Sequence, residues 1–226
     1  FSYFHPALED EPIIFVQVAL TNGLGKSIQE IMKPRSEGEK KYDTATFYSI
    51  SNCQEGLARV TLGNFLIKRV VYEIQEELPN IKHFGTLSPI PGFRDWFSYL
   101  DQKKIEQIIG KELYDNISFL KSSSLKIGDA RIVSNKRAII KLVAHYLMNE
   151  KNKKGLPIND VCRFHLGNGA IIDDIVINAN VSEVGFKRSF GVMVNYLYEL
   201  KNIEKNHEDY VNKKITIISE KLKKLI

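Results

Sequence analysis

Two cysteines in a chain of 226 residues, Cys53 and Cys162, are too few to staple a disulfide scaffold, and they show neither a CxxC pair nor a Cys/His spacing suited to zinc. A reducing compartment, with both thiols buried as small structural side chains, is the expectation. The sequence holds no unbroken apolar run of roughly eighteen residues, which excludes a membrane-spanning helix. Its most apolar windows, residues 11–20 and 138–148, have the length of core elements. Neither an initiator Met nor a signal-peptide pattern opens the chain, and no lipidation motif or peroxisomal tripeptide closes it. The true N-terminus is expected upstream of Phe1, with any targeting information. Walker loops, a GxGxxG fingerprint and internal repeats are all absent.

What is present fits a soluble globular chain of one large domain or two small ones: 43% hydrophobic and 10% aromatic residues can fill a sizeable core. The 32 basic and 27 acidic residues leave a net charge of +5, but the signs are interspersed instead of forming one basic block. A nucleic-acid surface is therefore not indicated, whereas a small anionic ligand fits.

Along the chain, residues 12–20 (PIIFVQVAL) read as a mostly buried strand, residues 21–31 as a loop and short helix, and residues 33–43 as a polar surface loop. Residues 44–51 (TATFYSIS) are again strand-like. After a polar loop, residues 64–78 place Phe65, Ile67, Val70, Val71, Ile74 and Leu78 at helical spacing, with Asn64 as a cap and Pro79 as a stop. Residues 81–87 predict a strand running into Ser88-Pro89-Ile90-Pro91-Gly92-Phe93. Residues 94–150 are mostly helical by pattern, with an apolar face at Ile139, Leu142, Val143 and Tyr146. From Val161 the pattern returns to short strand-like runs, with a turn at Gly167 and Gly169 and a strand at 171–177. Residues 192–200 form a final amphipathic stretch, and residues 207–226 a charged tail that reads as an exposed helix.

Three places draw attention as chemistry. The loop at residues 52–63 joins a strand to a helix N-terminus, where unpaired N–H groups and the helix dipole can cradle a phosphate; it is equally a plain connection. Ser88 ends a strand before two prolines that fix the backbone and remove two donors, a rigid place to hold a hydroxyl, or only a strand terminator. His165 precedes Gly-Asn-Gly between two apolar side chains, as an anchored acid or base or as a hydrogen-bonded core histidine. His5, His83, His145 and His207 lack such a setting. Neither cysteine has a recognisable orienting group for a nucleophilic pair.

Taken together, several long strings in one order resemble the malonyl-CoA decarboxylase family: FSYFHPALEDEPIIFVQVAL at 1–20, DTATFYSISNCQEGL at 43–57, GNFLIKRVVYEIQEELP at 63–79, TLSPIPGF at 86–93, FHLGNGA at 164–170 and GVMVNYLYEL at 191–200. The resemblance implies an α+β fold, a mixed sheet flanked by helices like that of the GNAT acyltransferases, with a helical insertion in the middle. It implies that residues 1–226 are the catalytic domain, lacking its opening segment and an N-terminal helical domain that helps the family oligomerise. A loop before a helix holds CoA in this fold, which here is Ala58, Arg59, Val60, Thr61, Leu62, Gly63 and Asn64. Ser88 and His165 match the family's catalytic pair, and Tyr198 joins them as a substrate-contacting candidate.

The activity implied is decarboxylation of malonyl-CoA to acetyl-CoA and CO2, in fatty acid metabolism, with no metal or organic cofactor. Ser88 would hold the malonyl carboxylate and accept its proton; His165 would polarise the thioester and donate the final proton. A homo-oligomer is implied for the full-length protein, with neither nucleic acid nor membrane as partner. The location would be cytoplasmic in a bacterium, and mitochondrial, peroxisomal or cytoplasmic in a eukaryote. Two departures stand out: Arg59 where the family has Gly, and Asn180 where it has a carboxylate. A GNAT-like acyltransferase and a degenerate CoA-binding homologue remain the alternatives.

Overall fold

The computed structural model describes residues 1–4, 11–33, 42–53 and 63–226. Its first half is built on a sheet. Strand β2 (Pro12–Thr21) pairs antiparallel with β1 (Ser2–Phe4) and with β3 (Thr44–Asn52), as the β-branched runs at 12–20 and 44–51 predict. The short helix α1 (Ile28–Ile31) follows β2, started by Ser27, whose hydroxyl accepts from the N–H of Glu30. Strand β3 is parallel to β4 (His83–Thr86), so a crossover must join them. That crossover is α2 (Gly63–Glu77), which begins one residue before the predicted cap Asn64. Ile67, Val70, Val71 and Ile74 form its buried stripe, as their spacing requires.

Two residues past β4 comes the short strand β5 (Ser88–Pro89). The middle is helical as expected: α3 (Phe93–Tyr99), α4 (Gln102–Ile109), α5 (Lys111–Ile117), a single 3₁₀ turn, α6 (Ala130–Ser134) and α7 (Lys136–Met148). Ile139, Leu142, Val143 and Tyr146 are buried along α7. The remaining elements are α8 (Asp160–Gly167), β6 (Ile171–Val176), α9 (Glu183–Ser189), β7 (Met193–Leu197), α10 (Ile203–Lys213) and α11 (Glu220–Lys223). The sheet order is β1-β2-β3-β4-β7; β5 continues along β7 beside β4, and β6 pairs antiparallel with the opposite edge of β7.

Four expectations need correction. Residues 160–167 are helical and not strand-like, because Asn159 caps them and Cys162, His165 and Leu166 share one buried helical face. Residues 192–200 contain β7, a strand buried on both faces; an apolar run without alternation does not by itself distinguish strand from helix. The tail is not one exposed helix: α10 and α11 bury Tyr210 and Leu222, and Ile218 bridges to Ile172 of β6. Cys53 is exposed, contrary to expectation, and Cys162 is buried.

The two sheet faces differ. The large face, with Val16, Phe47, Phe84, Val194 and Tyr196, packs against α2, α7 and α8 in one core. The other carries Leu87, Val176, Ala179 and Met193 under Ile28 and Ile31 of α1. Among the described residues no helix is long and apolar enough to cross a membrane.

Candidate active site

The alternation of strand side chains sets the site. Phe84, Thr86 and Ser88 point to the large face, while Leu87 faces the smaller core, so the Thr86 and Ser88 hydroxyls stand side by side. Ser88 Oγ donates to Thr86 Oγ1 at 2.8 Å. The same rule on the neighbouring strand turns Val194, Tyr196 and Tyr198 to that face and Asn195 away from it. The Asn195 amide donates to the Thr86 carbonyl at 2.8 Å and to the Gly25 carbonyl at 3.0 Å, tying the β2–α1 loop to the site strand.

Helix α8 lies across these strands and delivers His165, which is 3% exposed. Its Nε2 is 2.9 Å from Ser88 Oγ, across 77 residues of chain. Its Nδ1 is 2.8 Å from the Tyr198 hydroxyl. Its ring stacks on Tyr196 with centroids 4.4 Å apart and planes inclined by 24°. The structure thus brings together Ser88, His165 and Tyr198, all anticipated, and adds Thr86 and Tyr196, which were not.

Burial governs the protonation of the group. It pushes the His165 imidazole down to about 3 and the Tyr198 and Tyr196 phenols well above their ordinary value. Tyr198 therefore keeps its proton, and the acceptor for it among the described residues is Nδ1 of His165. A neutral ring that accepts at Nδ1 carries its hydrogen on Nε2. Ser88 agrees with this count, since its one hydrogen already goes to Thr86. The donors run in one direction, from Tyr198 to His165 to Ser88 to Thr86. In a Ser-His-Asp triad the orienting carboxylate accepts from Nδ1 and the ring takes the serine proton. Here a phenol donates to Nδ1, so the ring is a donor to Ser88.

Other anticipated residues fall elsewhere. Ala58, Arg59, Val60, Thr61 and Leu62 lie outside the described residues; Gly63 and Asn64 open α2. Asn180 sits in the turn before α9, its side-chain oxygen accepting from Ser182 N at 3.1 Å and Gln29 Nε2 at 3.4 Å, and it makes no contact with the Ser88–His165 pair. Cys162 is pushed up to about 12 by burial and bonds the Leu147 carbonyl, as a structural thiol does. His207 is no free tail histidine: its Nδ1 meets the Gly167 carbonyl at 2.6 Å. Among the described residues no cluster of His, Cys, Asp and Glu is placed to hold a metal ion. Thr86 had a signal in the sequence, two residues before Ser88 on one strand. Tyr196 had none, because its contact with His165 is set by tertiary packing alone.

The model of the malonyl-CoA decarboxylase C-terminal domain matches residues 1–226. The mitochondrial malonyl-CoA decarboxylase of Anser anser anser is 36% identical over 242 residues, which cover 97% of this chain and 48% of the relative. The chain thus spans about half the length of the curated relatives it matches. The crystal structure of malonyl-CoA decarboxylase from Agrobacterium vitis is similar with a TM-score of 0.88 at 37% identity, over 99% of this chain and 56% of that one. The loading GNATL domain of CurA from Lyngbya majuscula, at 13% identity and a TM-score of 0.50, covers 88% of this chain and 74% of that one and shares its fold. The α+β mixed sheet flanked by helices is the architecture expected. The chain belongs to the family of malonyl-CoA decarboxylase C-terminal domains.

Proposed function

We propose that this chain supplies the catalytic centre of a malonyl-CoA decarboxylase, converting malonyl-CoA to acetyl-CoA and CO2 at Ser88 and His165. The observation that carries it is the 2.9 Å contact of Ser88 Oγ with a buried, neutral His165 whose far nitrogen is held by Tyr198. Breaking the bond between carboxylate and α-carbon releases CO2 and leaves the electron pair on the thioester as an enolate; the α-carbon then takes one proton. The thioester carbonyl is itself the electron sink, so the chemistry calls for oriented donors and needs neither metal nor organic cofactor.

A neutral imidazole suits this task, since it polarises an oxygen without having to lose a full charge afterwards. With Nε2–H donating into its oxygen, the Ser88 hydroxyl is polarised, and when substrate binds its hydrogen turns from Thr86 to the malonyl group. It holds the malonyl group and passes its proton to the α-carbon, while Nε2–H supports the negative charge developing on Oγ, and a proton from solvent then restores the hydroxyl. Tyr198 fixes the ring in the donating tautomer. The segment 58–64 is the proposed CoA pyrophosphate cradle, its last two residues opening α2, where the dipole favours an anion.

The test is to incubate the full-length protein with malonyl-CoA and follow CO2 and acetyl-CoA together. Equal amounts of both support the reading. CoA binding without turnover would instead mark a degenerate homologue, and acetyl transfer to an amine without CO2 release an acyltransferase.

A further inference from the structure

The two elements that carry Ser88 and His165 are joined by one buried amide. Asn159 is 2% exposed and caps α8: its backbone is extended, and its Oδ1 accepts from the N–H of Cys162 at 2.8 Å. The same side chain donates through Nδ2 to the Pro91 carbonyl at 2.9 Å. That carbonyl also accepts from the Tyr146 hydroxyl at 3.1 Å. The amide orientation is settled by its neighbours, since one end faces an N–H and the other a carbonyl.

The Pro91 carbonyl lies three residues after Ser88, in a turn where Pro89 and Pro91 offer no N–H of their own. Gly92 follows with φ of +79° and starts α3. His165 lies six residues after Asn159, about 9 Å along a single rigid helix. A displacement at the cap is therefore carried to the imidazole, and one at the turn to the hydroxyl.

We propose that Asn159 is a positioning residue that sets the Ser88–His165 separation by fixing the start of α8 to the turn after β5. This rests on the proposed role of that pair. Helix capping alone does not require asparagine: Ser, Thr and Asp cap as well. The bridge does, because it needs an acceptor for Cys162 N and a donor for Pro91 O from one side chain of this length. Serine keeps the first function and cannot reach the second.

The experiment measures N159S, N159T and S88A in the full-length protein with malonyl-CoA, as kcat and KM per folded molecule, together with the NMR signal of the His165 Nε2–H. The expected result for N159S and N159T is a fall in kcat of at least about tenfold, KM within about twofold, and a shifted or broadened Nε2–H signal. A cap-only role would lower the melting temperature and leave both kcat and that signal in place, which overturns the proposal. Failure of both variants to fold also overturns it, by making Asn159 a structural residue. If S88A turns over like wild type, the reading of the pair fails instead; if S88A is silent while N159S keeps its kcat, only the positioning assignment fails.

Discussion

The Tyr198 hydroxyl stands 2.8 Å from Nδ1 of His165, and burial keeps that phenol protonated, so the tyrosine determines which nitrogen of the histidine bears its hydrogen. The Y198F variant loses this donor and leaves a buried ring nitrogen unsatisfied. A neutral hydrogen bond of this kind contributes ~1 kcal/mol, and leaving its partner unpaired costs about 1–3 kcal/mol. We expect kcat to fall by roughly tenfold or more with little change in KM, and the His165 ring to populate the other tautomer by ¹⁵N NMR. An unchanged tautomer would remove Tyr198 from the account.

Thr86 receives the hydrogen of Ser88 at 2.8 Å and is itself buried. In T86V, nearly the same shape without the hydroxyl, Ser88 is released to turn its hydrogen toward Nε2, in competition with the ring. A stability loss of ~1 kcal/mol and a several-fold fall in kcat are expected, read by urea denaturation and steady-state assay. Loss of stability with intact kcat would show that Thr86 only satisfies a buried group.

The protonation of His165 gives a pH dependence with a definite sign. Its folded value, about 3, lies below the ordinary 6.5, with burial as the cause. Between these values the unfolded chain binds a proton that the folded chain does not. The contribution of His165 to stability is therefore full above pH ~6.5 and is lost as the pH falls toward about 3, with a slope approaching ~1.4 kcal/mol per pH unit. Urea midpoints across this range should fall more steeply with acid for wild type than for H165N. Parallel curves would contradict a ring buried neutral.

Gly85 marks where β4 and β7 meet closely. A Cβ there would lie 2.4 Å from Leu24 Cδ2 and 2.8 Å from the Tyr196 carbonyl. Leu24 can give way, but the carbonyl belongs to the strand beneath His165. G85A should destabilise by about 1–3 kcal/mol, as overpacking does, and reduce turnover, measured as the melting temperature and kcat of one preparation. Wild-type values for both would show that β7 is free to shift.

Much of this was legible locally and the rest was not. Strands β2 and β3 follow from their β-branched runs between turn-forming residues, and helix α2 from the helical period of its one buried face. The strand β7 does not: both of its faces are covered, so Met193 and Val194 carry no alternation, and a buried run reads alike in either conformation. Helix α8 has a start signal in Asn159 that the strand-like reading from Val161 leaves unused. Ser88 and His165 could be named from the strings around them, but the stacking of His165 on Tyr196 depends on a strand whose place in the sheet no local pattern dictates.

The central claim is that Ser88 and His165 act on the malonyl group, and single-turnover decarboxylation of saturating malonyl-CoA by S88A and H165N tests it most directly. Each variant is expected to bind CoA close to wild type and to form acetyl-CoA at least about a hundredfold more slowly, the scale of removing one preorganised donor. Wild-type turnover in either variant, with the fold intact, would contradict it.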